Sequence, residues 1–230
     1  MKFGIVTFPG SNGDYDACQA AANALGQTAV YLWHKNHDLQ GCDVIILPGG
    51  FSYGDYLRAG AIARFSPIMN EVIAHARRGA PVLAICNGFQ VACEAGLLPG
   101  ALLRNASLRF ISRPINMRVE NATSMFTREY FAGQVLRVPV AHGDGRYAAD
   151  PDVLARLEGD NRVVFRYSAA DASVSDADNI NGSAHGIAGI VSEGGNVLGM
   201  MPHPERAVDP ILGTPDGLGV FHSLLAEVAA

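Results

Sequence analysis

Lysine is nearly missing from this chain: among its 230 residues only Lys2 and Lys35 occur. Neither stands in a G-x-x-x-x-G-K-[ST] loop, so a P-loop nucleotide site is excluded and any ATP chemistry would need another chain or an unfamiliar site. Positive charge is scattered, with Arg77 and Arg78 the only adjacent basic pair, and the net charge is −5. With a pI near 5.8, the chain carries no basic footprint for nucleic acid. No apolar run approaches the ~20 residues of a membrane span, so no membrane association is expected. The first apolar run, Phe3 to Phe8, is too short for a secretory leader and ends at Pro9-Gly10. The cysteines (Cys18, Cys42, Cys86, Cys93) show no C-x-x-C spacing, and the seven histidines are dispersed. Neither a disulfide framework nor a metal site is expected, and the cytoplasm is the expected compartment.

What is present is enough apolar content for one sizeable core: 49% of residues are hydrophobic. No repeat, linker or low-complexity tract interrupts it, so a single domain over 1–230 is expected. Phe3–Phe8, Thr28–Trp33, Asp43–Leu47 and Pro81–Ile85 read as buried strands, and Tyr15–Leu25, with Asp14 as its cap, Ser66–Arg78 and Asn87–Ala95 as helices between them. Strands alternating with helices predict an α/β fold, doubly wound around a mostly parallel central sheet, with ligand sites beyond the carboxyl ends of the strands. After Pro99-Gly100 the pattern changes to alternation. Leu108–Glu120 and Val135–Ala141 predict an added antiparallel portion, His185–Ser192 and Asn196–Met200 a hairpin pair, and Asp216–Ala229 a last helix.

Three stretches carry chemistry. Pro81 to Gly96, PVLAICNGFQVACEAG, runs a buried strand into a helix with Cys86 at the joint and small residues, Ala84 and Gly88, two positions to either side. That spacing suits a nucleophile elbow, and the helix N-terminus beyond it favours negative charge on the sulfur or on a developing oxyanion. Isolated cysteines are more often packing, so the elbow alone does not decide. The loop Pro48-Gly49-Gly50-Phe51 follows the neighbouring strand, and its paired glycines allow a close approach to a ligand. Met201-Pro202-His203-Pro204-Glu205-Arg206 reads as proline-stiffened extended chain, which would project His203 and Glu205 to one side as a base and its orienter.

The ordered set PGGFSYGD (48–55), ICNGFQ (85–90) and MPHPER (201–206) resembles the class I, triad-type glutamine amidotransferases. FPGSN (8–12), GDYLRAGAIA (54–63), AHGDGRY (141–147), NINGS (179–183) and GMMPHPERA (199–207) are similar, more narrowly, to the branch of that family serving purine biosynthesis. Two positions depart from the family pattern: Gly13 stands where cysteine is common, and Asp144 where glutamate is usual.

The resemblance implies a Cys86–His203–Glu205 triad that hydrolyses the side-chain amide of glutamine through a thioester. It implies oxyanion donors from the backbone of Asn87 and of Gly50 or Phe51, and substrate contacts from Gly49, Gln90 and His142. It implies no cofactor on this chain. Ammonia would pass to a large synthetase subunit, accompanied by a small third subunit, that uses ATP and Mg²⁺ to convert phosphoribosylformylglycinamide to the amidine. A thiol hydrolase of the same fold, of γ-glutamyl hydrolase or peptidase type, is the rival reading. It would not share AHGDGRY or NINGS.

Overall fold

The computed structural model of the chain describes residues 1–228. A nine-stranded sheet runs through it, built from β1 (Lys2–Thr7), β2 (Thr28–Trp33), β3 (Val44–Leu47), β4 (Val82–Ile85), β6 (Ile111–Val119), β7 (Val135–His142), β9 (Val163–Tyr167), β10 (Ile187–Val191) and β11 (Val197–Met200). Their order across the sheet is β2-β1-β3-β4-β11-β10-β9-β6-β7. The first five are parallel neighbours, and from β11 onward each pairing is antiparallel. The α/β expectation with an added antiparallel portion describes this sheet. A separate two-stranded ribbon joins β5 (Ala101–Leu103) to β8 (Arg146–Ala148).

The parallel half forms because β3, β4 and β11 are continuously apolar and buried along their whole length, which suits strands covered on both faces. Each buried Val, Leu or Ile contributes roughly 1.5–3 kcal/mol relative to exposure. Helices α1 (Asp14–Gln19), α2 (Pro67–Arg77), α3 (Asn87–Glu94), α4 (Pro151–Gly159) and α5 (Leu218–Val228) complete the fold. Of these, α3 packs on β3, β4 and β11 and so sets the Cys86 joint directly on the core.

Several expectations are corrected here. The segment expected as a helix over 15–25 starts one residue earlier at Asp14, ends its α-helical part at Gln19 and finishes as a wider π turn over Ala20–Ala24. Asp14 is the first helical residue rather than the cap, and its carboxylate accepts from Thr7 Oγ1 at 3.1 Å. The strand expected from Leu108 begins only at Ile111, because Leu108 sits in a turn at φ 58°. Helix α4 and strand β9 lie in a stretch to which the sequence pattern assigned nothing. The last helix begins at Leu218, and its expected end at Ala229 lies outside the described residues. Among the described residues no helix is long and apolar enough to cross a membrane.

Candidate active site

β4 ends at Ile85, and Cys86 then takes φ 50°, ψ −105°, a sparsely populated conformation for any side-chain-bearing residue, before α3 begins at Asn87. Such strain persists only where the surroundings enforce it. Here the enforcement is visible: the Cys86 N–H donates to Met200 O at 2.8 Å, and a β-carbon on Gly88 would fall far inside van der Waals contact of the Leu47 carbonyl. Only glycine lets α3 start this close to β3. The Cys86 thiol faces the Ala141 carbonyl, Sγ to O 3.7 Å.

His203 reaches the same place from the neighbouring strand. It lies three residues beyond the end of β11, and its N–H donates to Pro139 O at 2.8 Å. The next three residues, Pro204–Arg206, form a single 3-10 turn, not the extended segment that the prolines suggested. Pro204 fits there because its fixed φ suits the first position of a helical turn and no N–H is required. The turn brings the two side chains together: His203 Nδ1 lies 2.6 Å from Glu205 Oε1, with both side chains almost fully buried. Burial opposes a proton on His203, but the Glu205 carboxylate and the nearby Cys86 sulfur outweigh it and raise the imidazole above its ordinary range. His203 Nε2 has no hydrogen-bond partner among the described residues.

The loop after β3 is held by the first turn of the chain. Phe51 N–H donates to Gly10 O (2.9 Å), Tyr53 N–H to Pro9 O (2.6 Å), and Asn12 and Gly13 N–H to Gly49 O (3.3 and 3.1 Å). A β-carbon on Gly49 would meet His203 Cε1 at 2.6 Å and Cys86 Cβ at 3.6 Å, which places this glycine between the two. The loop's two candidate N–H groups therefore differ. That of Phe51 is committed to Gly10, whereas that of Gly50 has no acceptor among the described residues. Asn87 opens α3, so its N–H has no intrahelical acceptor.

Cys86, Gly50, Phe51, Gln90 and His142 share a cavity of about 190 Å³ with Ala141 and Gly143. The amide of Gln90 is already engaged: Oε1 accepts from Asn87 Nδ2 (2.8 Å) and Nε2 donates to Asp144 O (2.7 Å). His142, the last residue of β7 and not a loop residue, is buried. Its Nδ1 faces Asn105 Oδ1 at 3.1 Å, which makes Nδ1 the N–H and leaves Nε2 an acceptor with no partner. Burial first, and the neighbouring His203 second, lower His142 to about 4. A larger cavity of about 560 Å³ lies behind Glu205 among Tyr15, Asp16 and Ile211, but Cys86 does not line it.

Three residues on the reactive cavity, Asp55, Arg104 and Asp144, were not picked out as site residues from sequence. Asp55 lies inside GDYLRAGAIA and Asp144 inside AHGDGRY, where it stands out only as a departure from the family pattern. The NINGS segment has a structural part: Asn181 Nδ2 donates to Gly145 O (2.7 Å) and to Tyr167 Oη (3.1 Å), bracing the loop after β7.

Comparison with known proteins gives the family. A family profile described as a CobB/CobQ-like glutamine amidotransferase domain matches residues 1–214. The phosphoribosylformylglycinamidine synthase subunit PurQ of Salinibacter ruber is 58% identical over 228 residues, 99% of this chain and 97% of that one. That of Chlorobaculum tepidum is 58% identical over 229 residues, 100% of this chain and 98% of the relative. Among solved structures, PurLQS from Thermotoga maritima contains a chain 43% identical to this one, with a TM-score of 0.88 over 99% of this chain and 98% of the other. A glutamine amidotransferase of the same organism, 18% identical with a TM-score of 0.63 over 99% of this chain and 97% of that one, shares the fold. With this identity along essentially its whole length, the chain belongs to the CobB/CobQ-like glutamine amidotransferases, in the group formed by the PurQ subunits of phosphoribosylformylglycinamidine synthase.

Proposed function

We propose that Cys86 hydrolyses the side-chain amide of glutamine and that the ammonia released serves a partner synthetase. The observation that carries this reading is the meeting of a cysteine on a strained elbow with a buried His203–Glu205 pair and two uncommitted N–H groups, those of Gly50 and Asn87. Sγ, as thiolate, attacks the carboxamide carbon. The tetrahedral oxyanion takes the Gly50 and Asn87 N–H groups, each such donor supplying roughly 2.7–4 kcal/mol to the transition state. His203, held basic by Glu205, carries the proton that departs with the amide nitrogen as ammonia. A water deprotonated by His203 then cleaves the thioester, releasing glutamate and restoring the thiol. Glu205 accepts from Nδ1–H throughout and fixes the tautomer that leaves Nε2 toward the reaction. Gly49 gives the substrate amide room beside both groups, His142 Nε2 is free to accept from its NH₂, and Gln90 ties the helix to the loop at the cavity mouth.

Ammonia would then be consumed by a large synthetase subunit, with a small third subunit, in a cytoplasmic complex. That complex would convert phosphoribosylformylglycinamide to the amidine with ATP and Mg²⁺. The support is the identity to PurQ subunits and to a chain of PurLQS, together with the lack of a nucleotide loop here.

The test is glutamine-dependent amidine formation with ATP and a matching synthetase, comparing this chain with Cys86→Ala. Glutamine should support the wild type only, and ammonium chloride should support both. Activity of Cys86→Ala with glutamine would overturn the mechanism, and glutamine hydrolysis uncoupled from that acceptor would overturn the pathway.

A further inference from the structure

Strand β6 outruns one of its neighbours. β9 pairs with it only over Met117–Val119, whereas β7 pairs with it back to Ile111, so the β9 side of β6 has no strand beside it over 111–115. Pro114, which has no N–H to offer a ladder, falls in that stretch. The gap is a cavity of about 230 Å³, walled by β6, by the chain leaving β9 at Ser168 and by the loop that carries Asp178 and Ile180. Cys86 does not line it, and no step of the reaction above uses it.

Three polar side chains converge on this cavity without a use inside the fold. Ser168 is 6% exposed, and its buried Oγ has no hydrogen-bond partner, a costly state for a hydroxyl. Among the described residues, the half-buried Asn116 amide makes no hydrogen bond and Arg113 has no carboxylate within ion-pair reach. A hydroxyl, an amide and an unpaired guanidinium are the donors that phosphate oxygens take. Asp178, on the third wall, opposes a second anionic end on the ligand. Its Oδ2 accepts from Ser175 Oγ at 2.6 Å, and its other oxygen is left to accept from hydroxyl groups. A sugar phosphate has both halves, an anionic head and a polyol. The volume falls short of the roughly 300 Å³ at which pockets for drug-sized ligands begin, so the base of a nucleotide would stay outside.

The cavity is also tied to the loop after β7. Ile180 lines it, and the next residue, Asn181, is 1% exposed and donates from Nδ2 to Gly145 O at 2.7 Å and to Tyr167 Oη at 3.1 Å. Tyr167 in turn precedes Ser168. Two walls of the cavity therefore meet at the residue that braces Gly145.

We propose that this cavity is a second ligand site, specific for a sugar phosphate: Arg113, Asn116 and Ser168 receive the phosphate, Asp178 receives the sugar hydroxyls, and the bound ligand steadies Asn181 and with it the loop at Gly145. The site stands apart from the glutaminase chemistry, and its test reads binding instead of turnover.

The experiment is calorimetric titration of the full chain with ribose 5-phosphate, ribose, inorganic phosphate and adenosine monophosphate. Ribose 5-phosphate should bind, with ribose and inorganic phosphate at least about tenfold weaker and the nucleotide no tighter. Arg113→Ala should weaken ribose 5-phosphate by about tenfold or more, the scale of a lost charge-assisted pair. Ser168→Ala should weaken it severalfold without lowering the melting temperature of the ligand-free chain, because the hydroxyl satisfies nothing there. Absence of ribose 5-phosphate binding, or binding untouched by Arg113→Ala, would overturn the site. Equal affinity for inorganic phosphate would reduce it to a plain anion hole and overturn the part given to Asp178, tighter binding of the nucleotide would overturn the ligand class, and a lower melt of Ser168→Ala would show that this hydroxyl works within the fold. Hydrogen exchange at the Gly145 amide, which donates to Asn105 Oδ1 at 3.0 Å, should slow severalfold at saturation. Unchanged exchange would overturn the link to the loop.

Discussion

Gly49 leaves no room for a side chain against His203: a β-carbon there would stand 2.6 Å from the imidazole Cε1. Its φ is ordinary, so the obstacle is the imidazole and not backbone conformation. Gly49→Ala should displace His203 and lower glutamine-dependent kcat/KM by at least about 100-fold, while ammonium-dependent synthesis by the complex continues. Gly159→Ala is the control, since open space surrounds that position. It should be neutral or stabilising by about 0.5 kcal/mol. Steady-state kinetics and thermal melts of the two variants separate the steric effect from a general intolerance of substitution.

Glu205→Gln keeps the shape beside His203 Nδ1 and removes the charge. The glutaminase rate should fall by about 100-fold or more. The raised basicity of His203 adds stability that is complete below the unfolded imidazole value and is lost as pH rises through the folded value. The wild-type melting temperature should therefore decline on the alkaline side of about pH 6.5, and the decline should be shallower in the variant. Parallel melts at pH 6 and pH 9 give the comparison.

Asp55 has the opposite character to a paired carboxylate. Because the fold raises it from 3.8 to about 6, its contribution is present below the unfolded value and lost as pH climbs through 6. Asp55→Asn should be more stable than wild type at pH 7.5 by on the order of 1 kcal/mol, after allowance for solvent screening of a half-buried group. The gain should vanish near pH 4. Denaturant melts at the two pH values read it directly.

Tyr53 Oη bridges His34 Nδ1 at 2.7 Å and Ser66 Oγ at 2.9 Å, anchoring the loop that carries Gly50 to β2 and the start of α2. Tyr53→Phe removes both hydrogen bonds and should cost about 1–2 kcal/mol. A loosened loop should also lower glutamine kcat/KM severalfold, which single-turnover kinetics on the complex would register.

The sequence was most informative where the signal is local. The strand entering Cys86, the glycine two residues beyond it and the His203–Glu205 spacing could all be read directly, because a buried strand, a tight joint and a short-range pair are encoded within a few residues. The mode of that pairing could not be read, since extended chain and a 3-10 turn both bring residues two apart together near prolines. Nor were α4 and β9 seen: both are short, nine and five residues, and α4 buries only Leu157. The commitment of Phe51 N–H to Gly10, and the meeting of Asp55 with Asp144, join segments about 40 and 90 residues apart along the chain. Local periodicity carries no trace of such contacts.

Cys86 and His203, the proposed nucleophile and base, leave adjacent parallel strands, with Ile85 of β4 in register with Met200 of β11. One interstrand spacing, ~4.8 Å, therefore sets the starting separation of the pair, on which the turns after the strands build. Insertions in surface segments such as that carrying Ile211 can accumulate without altering that separation. Outer loops can thus be reshaped to suit a partner's surface while the register that spaces Cys86 from His203 stays where the sheet puts it.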